Sequence, residues 1–244
     1  MKNRMPVFMF TAIWLLALTL AYPYENTIKR SFPLSQQGNI RLNTQRGDIN
    51  ISTHEANEVN IEAVVTAEDK TELEKVNIEF EAGTDSLLIY PASTLISAKA
   101  NINYELKVPE GLKAVFLATQ NGEIKAKGNY GQIELKTTNG DIDFGGEFSG
   151  CLLKSANGDI EVYLKDTLKG NLTAESTNGS IKMTLKPGPG FKVEGHNVTG
   201  SIRSEFNTTG SSDETGSHLE GTVAEGTYKL DLRTVNGDIN LLKQ

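Results

Sequence analysis

Five acidic residues recur at one position of a repeated motif, directly after a glycine: Asp48, Glu123, Asp141, Asp159 and Asp238. Stacking of the motifs would place these carboxylates in a column with a spacing of about 5 Å, where they repel one another and where Ca²⁺ could relieve the repulsion. Solvated turn acids are the alternative interpretation. Ser180 and Ser201 interrupt the column, and nothing in the sequence matches the glycine-rich nonapeptide repeat that binds calcium. We therefore predict no metal ligands among these acids.

An Arg-Gly-Asp tripeptide at residues 46–48 has the form of an integrin-recognition signal. Its Gly47 and Asp48 occupy the same motif positions as Gly140 and Asp141. The repeat itself therefore explains the tripeptide, and we do not predict receptor recognition from it.

The sulfur and imidazole side chains form no recognisable catalytic or metal-binding pattern. Cys151 falls in register with Ile133 of the preceding repeat, which favours a small core side chain over a nucleophile. A single Cys also excludes a disulfide framework and a CxxC zinc or redox site. His54, His196 and His218 lie in different sequence contexts, and no HExxH or Ser/His/Asp arrangement joins them. The sequence thus predicts a protein that is not an enzyme, with no catalytic, cofactor-binding or metal-binding residues and no cofactor.

The charge balance limits the classes of partner. The 244 residues include 31 Asp and Glu against 24 Lys and Arg, which gives a net charge of −7. This balance argues against a nucleic-acid-binding protein, which works by neutralising phosphates, and it also disfavours binding to anionic membranes.

The motifs repeat at a regular interval along the chain. Their turn glycines are, in order, Gly47, Gly122, Gly140, Gly158, Gly179, Gly200 and Gly237. Successive intervals are 75, 18, 18, 21, 21 and 37 residues, so the central block has a period of 18 to 21 and the last interval is close to two periods. Periods of this length are typical of a solenoid of stacked coils.

Each repeat carries a strand on either side of its turn. In the unit GQIELKTTNGDIDF, Ile133 and Leu135 alternate with polar residues before the turn, and Ile142 and Phe144 do so after it. Shifting by the repeat interval aligns further inward positions before the turn: Val115 and Leu117, Cys151 and Leu153, Leu172 and Ala174, and Leu230 and Leu232. After the turn, the aligned column is Ile49, Ile124, Ile142, Ile160, Ile181, Ile202 and Ile239.

The polar positions of the motif have a structural explanation. Asn-Gly supplies the positive φ angles that a tight corner demands. A short polar side chain stands three residues before each turn glycine: Thr44, Thr119, Thr137, Ser155, Ser176, Asn197 and Thr234. We expect these side chains to hydrogen-bond to neighbouring coils or to cap the backbone of the corner.

Residues outside the regular block are harder to assign. Residues 25–113 form a less regular region, in which 38–51 already has the two-strand shape and further β segments follow at Val59–Thr66, Val76–Phe80, Leu87–Tyr90 and Ile102–Val108. We expect this region to be a β-sheet cap over the open end of the solenoid, because bare sheet edges promote aggregation. Residues 114–244 contain the regular coils, interrupted between Phe206 and Thr227 by a Gly-, Ser- and Thr-rich run that we interpret as a mobile loop.

The first residues have the features of a secretory signal peptide, 1–21. Lys2 and Arg4 precede an uncharged stretch that runs to Tyr22, and Thr19-Leu20-Ala21 offers small side chains at the cleavage positions. The apolar run is shorter than the ~20 residues that span a bilayer comfortably, so an uncleaved membrane anchor is the alternative.

A longer segment carries a family resemblance. YELKVPEGLKAVFLATQNGEIKAKGNYGQIELKTTNGDIDFGG joins a Val-Pro-x-Gly entry to tandem Asn-Gly-Asp-Ile turns. In this combination the sequence resembles the bacterial putative-adhesin family of secreted β-strand-repeat domains, from about Gly38 to the C-terminus. The resemblance implies a parallel β-helix in the cell envelope, and it offers no catalytic residues to carry over.

These observations predict an all-β, single-domain parallel β-helix over residues 25–244, with 18–21 residues per coil and an N-terminal β-sheet cap.

Three functions are compatible with this fold. The favoured one is a non-enzymatic extracytoplasmic solenoid that binds or scaffolds at the cell surface, with an envelope protein or a surface glycan as partner. The second is a polysaccharide lyase or hydrolase, which would need carboxylates or Arg and Lys converging in one outer groove, with Asp141, Asp159 and Glu161 as candidate acids. The third is an envelope-sensing regulatory partner protein.

Overall fold

A computed structural model describes residues 23–92, 100–188, 190–213 and 216–244 of the chain. The predicted signal peptide lies outside the described residues. Those residues form nineteen β-strands and one five-residue helix, α1 (Lys70–Glu74). The predicted all-β class is therefore confirmed.

The N-terminal strands include segments that the sequence predicts and one that it does not. The strands up to the first long coil are β1 (Tyr24–Pro33), β2 (Asn39–Arg46), β3 (Ile49–His54), β4 (Glu58–Ala67), β5 (Ile78–Ala82), β6 (Ser86–Pro91), β7 (Ala100–Pro109) and β8 (Leu112–Asn121). Strand β1 and helix α1 carry no clear signal in the sequence. The helix is begun by Asp69, whose side chain accepts a hydrogen bond from the backbone N–H of Glu72 at 2.8 Å.

The remaining strands continue to the C-terminus. They are β9 (Ile124–Asn139), β10 (Ile142–Asn157), β11 (Ile160–Thr167), β12 (Asn171–Asn178), β13 (Ile181–Lys186), β14 (Gly190–Thr199), β15 (Ile202–Ser204), β16 (Thr209–Asp213), β17 (Gly216–Ala224), β18 (Tyr228–Asn236) and β19 (Ile239–Lys243). Strands β9 and β10 are the longest of these, with 16 residues each.

Neighbouring coils pair in parallel, and their registers confirm the predicted columns. Before the turn, Ile133 pairs with Val115 on one side and with Cys151 on the other. After the turn, Ile142 pairs with both Ile124 and Ile160. Every isoleucine of the second column except Ile202 is completely buried. Burial of each such side chain contributes about 1.5–3 kcal/mol, so the columns hold the stack together.

The coils do not stack in the order of the sequence. The C-terminal pair β18–β19 lies between β12–β13 and β14–β15, since β18 pairs with both β12 and β14 and β19 pairs with both β13 and β15. The N-terminal pair β2–β3 is inserted in the same way, between β6–β7 and β8–β9. The 37-residue interval before the last turn is therefore not two coils. It contains the antiparallel strands β16 and β17, after which β18 pairs in parallel with β14.

Antiparallel strands flank the parallel coils. Strand β4 pairs with β7 and β1 pairs with β4, while β5 pairs with β6. At the other end, β17 pairs with β14 and β16 pairs with β17. The interpretation of Phe206–Thr227 as a mobile loop is therefore wrong. Backbone hydrogen bonds to the edge of β14 and the burial of Leu219 and Phe206 against the core outweigh the Gly- and Ser-rich composition of this run.

Candidate functional site

The turn glycines allow neighbouring corners to approach closely. A Cβ on Gly140 would lie 2.0 Å from the carbonyl oxygen of Gly122, and one on Gly158 would lie 2.0 Å from that of Gly140. Gly140 also has a positive φ of 152°, whereas Gly122 and Gly179 are not among the positive-φ glycines. The corner thus needs glycine mainly because neighbouring backbones leave no room for a Cβ. The positive φ angle that the sequence predicts is the reason at only some of the coils.

The asparagines of the turns form a ladder along the stack. The side chain of Asn139 donates to Oδ1 of Asn121, Asn157 donates to Asn139, and Asn178 donates to Asn157, each at 2.8 Å. Asn236 continues the ladder by donating to Asn178 at 2.8 Å. Their side chains therefore serve the fold, as predicted for the motif.

The short polar column caps the corner's backbone. Thr137 Oγ1 donates to the carbonyl of Gly122 at 3.0 Å, and Ser155 Oγ donates to that of Gly140 at 2.9 Å. Thr234 does the same to Gly179 at 2.8 Å. The expectation that this column caps the backbone is confirmed.

The turn acids are used in the same manner. Asp141 Oδ1 accepts the backbone N–H of Asp159 at 2.8 Å, and Asp159 Oδ1 accepts that of Ser180 at 2.7 Å. Asp238 accepts both the backbone N–H of Ser201 at 2.7 Å and its hydroxyl at 3.0 Å. These bonds from Ser201 hold the pKa of the Asp238 carboxyl below its ordinary value. The aspartates of the column are backbone caps, and Ser180 can replace the acid because its hydroxyl oxygen accepts the backbone N–H of Asp238 at 3.2 Å.

The Arg-Gly-Asp tripeptide lies in one of these corners. Asp48 Oδ1 accepts the backbone N–H of Glu123 at 2.9 Å, and Gly47 packs against the carbonyl of Ile102. Its glycine and acid therefore perform the same task as in the other coils.

Cys151 is a core residue, as predicted. Its side chain is buried in the column between Ile133 and Leu172. Burial raises the pKa of the thiol, so the nucleophilic thiolate is strongly disfavoured.

The structure brings two of the three histidines together. His196 in β14 and His218 in β17 stand directly opposite each other, with their Nδ1 atoms 3.2 Å apart. His54 lies elsewhere and points Nε2 to the carbonyl of Glu58 at 2.8 Å. The separate sequence contexts of His196 and His218 hid this pairing, because it depends on the unpredicted strand β17.

A groove with a volume of about 870 Å³ crosses the outer side of the coils beside the turns. We call it the coil groove. Its floor is the short polar column, and its first bank includes Lys136, Lys154 and Arg233. Its second bank is built from the residues two positions before six of the turn glycines: Gln120, Thr138, Ala156, Thr177, Val198 and Val235. It reaches from Asn43 to Val198 across seven strands, and six inter-strand spacings of about 4.8 Å give it a length of roughly 29 Å.

The cations on the first bank are each held by an acid. Lys136 pairs with Glu134, Lys154 pairs with Glu175 at 2.7 Å, and Arg233 donates to both carboxylate oxygens of Asp231, at 2.8 and 3.0 Å. These side chains are fixed in position while remaining about half exposed. The bank therefore presents ordered hydrogen-bond donors to solvent.

A second, smaller depression of about 620 Å³ lies on the outer side of the strands after the turn. We call it the glycine pocket, because Gly128, Gly145 and Gly146 line it beside the half-exposed ring of Tyr163. Three carboxylates and two lysines also reach it: Asp143, Glu147, Glu161, Lys127 and Lys165.

The carboxylates of the glycine pocket differ in their surroundings. Burial raises the pKa of Asp143 above its ordinary value, although Lys125 acts in the opposite direction. Glu161 is paired with Lys182 at 2.6 Å. Asp143 and Glu161 stand opposite each other on adjacent strands, so two acids with unlike environments face the same depression.

The described residues contain neither a cluster of three metal-ligating side chains nor a membrane-spanning helix. Within that part of the chain, no group of three or more His, Cys, Asp or Glu side chains is arranged to hold a metal ion. No helix among the described residues is long and apolar enough to cross a membrane.

Comparison with known sequences identifies a family. Residues 33–242 match the family model described as Toastrack DUF4097. Among curated proteins, no sequence matches the chain at a significant level.

Comparison with solved structures gives distant similarities. A putative cell adhesion protein from Clostridium sporogenes ATCC 15579 is 14% identical, with 91% of this chain and 100% of that chain covered and a TM-score of 0.55. A putative adhesin from Bacteroides fragilis NCTC 9343 is 12% identical, with 88% and 97% covered and a TM-score of 0.38. A putative lipid binding protein from Parabacteroides distasonis ATCC 8503 is 15% identical, with 73% and 74% covered and a TM-score of 0.44. The first similarity supports the fold, and at this identity it transfers no function.

Proposed function

The chain belongs to the Toastrack family DUF4097, and from this premise we propose that it is an extracytoplasmic, non-enzymatic binding protein that holds an extended surface glycan in the coil groove. The extracytoplasmic location rests on the predicted signal peptide at residues 1–21. The observation that carries the binding function is the coil groove itself, since each of the stacked coils contributes side chains from equivalent positions to one continuous outer channel.

The shape of the coil groove favours an extended polymer. Its length of roughly 29 Å spans six inter-strand spacings, and the same side-chain positions recur at each step. A chain of repeating units lying across the coils would therefore make contacts at the same positions of successive coils along its whole length. A compact small molecule would use only a fraction of them.

The chemistry of the lining favours a glycan over a protein. No Trp, Tyr or Phe is among the described residues that line the coil groove, and its larger apolar side chains, Val198 and Val235, lie at one end. Protein interfaces usually depend on buried aromatic or Arg anchors, whereas Arg233 of the coil groove is half exposed and already paired with Asp231. Hydroxyls, amides and paired cations instead match the hydroxyl and carboxylate groups of polysaccharides.

The test is a binding screen of the purified chain against neutral and uronic-acid polysaccharides. We expect saturable binding by the wild-type chain and its loss in Ala156→Trp, which fills the middle of the coil groove. Thr184→Trp on the strands after the turn is the matched control, and it should bind as the wild type does. The proposed glycan site would be refuted if Ala156→Trp still bound the polysaccharide, or if the wild-type chain bound none of the polysaccharides.

A polysaccharide-cleaving enzyme is the second candidate function, and the glycine pocket is the observation that favours it. Of the acids that the sequence suggests, Asp141 and Asp159 are committed to backbone caps, whereas Glu161 reaches the pocket beside Asp143. Paired acids with unlike environments are the groups that glycoside hydrolysis uses. Incubation of the pure protein with the same polysaccharides tests this function. Cleavage that Asp143→Asn or Glu161→Gln abolishes would establish it, and the absence of products would support a binding protein.

A further inference from the structure

We propose that His196 and His218 form a two-histidine site for a divalent transition-metal ion, of the Zn²⁺, Co²⁺ or Ni²⁺ class, on the outer face of the antiparallel pair β14–β17. The two residues are cross-strand partners in the ladder. Such partners have Cβ atoms about 4.5–5.5 Å apart, which allows both imidazoles to reach one ion. His196 also lines one end of the coil groove, so the metal site adjoins the groove, but metal binding does not require a ligand in it.

The separation of the ring nitrogens fits a shared metal ion. The Nδ1 atoms are 3.2 Å apart. Two nitrogens at 2.0–2.1 Å from a tetrahedral Zn²⁺ lie about 3.3 Å apart. The ring centroids are 4.3 Å apart with the planes tilted by 36°, so a modest rotation of the rings would aim both nitrogens at one point. Both side chains are partly exposed, at 46% and 34%, which leaves them free to rotate and open to an ion from solvent.

The outer nitrogens meet the carboxylates that metal-binding histidines commonly use. Nε2 of His196 lies 3.3 Å from Glu194, and Nε2 of His218 lies 3.5 Å from Glu220. Metal-ligating histidines usually donate this second N–H to a carboxylate, which fixes the tautomer. With each Nε2–H turned to its glutamate, both Nδ1 atoms present lone pairs to each other, and a cation between them removes the repulsion.

The charges around the pair also favour a dication. Glu194 and Glu220 lie on the two strands that carry the histidines, and β18 adds Asp231, Lys229 and Arg233 from the neighbouring coil. Lys229 contacts both Glu194 and Asp231, at 3.1 and 3.3 Å, and Arg233 is turned to Asp231. Three acids therefore face two cations. With two protein ligands, the remaining coordination positions would be left to water or to a ligand from outside the chain.

The test is a titration of the untagged, chelator-treated chain with Zn²⁺, followed by calorimetry and by NMR of the imidazole signals. We expect one saturable ion per chain, with shifts of the His196 and His218 signals and none of the His54 signal. His218→Gln and His196→Gln should each abolish saturable binding. Glu194→Gln should weaken it by about 10- to 100-fold, and His54→Gln, the matched control, should bind as the wild type does.

Thermal melting without metal verifies that each variant is folded. Added Zn²⁺ should raise the melting temperature of the wild type and of His54→Gln, but not that of His196→Gln or His218→Gln. The proposal is overturned if the wild type binds none of Zn²⁺, Co²⁺ or Ni²⁺. It is also overturned if folded His196→Gln and His218→Gln retain the ion.

Discussion

Asn236 donates its side-chain N–H to Oδ1 of Asn178 at 2.8 Å, although 58 residues separate the two in the sequence. The bond places the turn between β18 and β19 directly next to the coil of β12 and β13. The coil of β14 and β15 lies on the other side of β18 and β19. The C-terminal strands therefore have parallel neighbours on both sides. A terminus held in this way is protected from fraying, because leaving the stack would break two ladders at once.

The column of isoleucines predicts the cost of a polar substitution in the core. Ile142 is completely buried between Ile124 and Ile160, so Ile142→Asn loses apolar burial and buries an unpaired amide. We expect a loss of roughly 3–5 kcal/mol in the free energy of unfolding, measured by urea denaturation. Lys136→Asn on the exposed face is the control and should change stability by about 0.5 kcal/mol or less. Equal stabilities of the two variants would refute the register.

The close approach of the turns predicts that a side chain is excluded at their glycines. Gly140→Val would place Cβ 2.0 Å from the carbonyl oxygen of Gly122 and would strain a residue with φ of 152°. We expect it to cost at least about 1–3 kcal/mol, with a matching fall in the melting temperature. Asp141→Ser should be mild, because Ser180 at the equivalent position accepts the backbone N–H of Asp238 at 3.2 Å. An unchanged melting temperature for Gly140→Val would show that the corner can open.

A buried hydroxyl in the N-terminal coil predicts a substitution without cost. Tyr104 is completely buried, and its hydroxyl has no hydrogen-bond partner among the described residues. Tyr104→Phe removes an unsatisfied polar group and keeps the ring, so the melting temperature should stay the same or rise. A clear fall would mean that the hydroxyl is bonded in solution.

The capping bond of Asp238 predicts a dependence of stability on pH. Its pKa is lowered in the folded state by the hydrogen bonds from Ser201, so its stabilising effect is complete above the ordinary pKa of 3.8 and is lost as the pH falls through the lowered value. We expect Asp238→Asn to melt below the wild type near neutral pH. The difference should vanish well below pH 3.8. A difference that is the same at both pH values would show that the charge contributes nothing.

The sequence by itself determined the period, the inward columns and the chemistry of the corners. These features are local, because every coil repeats the same short pattern and each position meets its equivalent on the next coil. Ile142 meets Ile160 and Asn157 meets Asn139 whichever way the rest of the chain runs. Because of the same repetition, the register alone assigns structural roles to Cys151 and the turn acids.

Only the tertiary structure decided which coils are neighbours and what lies at the end of the stack. Equivalent coils present nearly equivalent edges, so the local pattern cannot specify that β18 enters between β12 and β14. Strand β17 forms because the edge of β14 offers unpaired backbone N–H and C=O groups. The amino-acid composition of residues 206–227 does not reveal this pairing. The pairing of His196 with His218 depends on that strand, and the coil groove depends on the order of the coils. Both sites are made by contacts between distant segments, and they therefore appear only when the chain is folded.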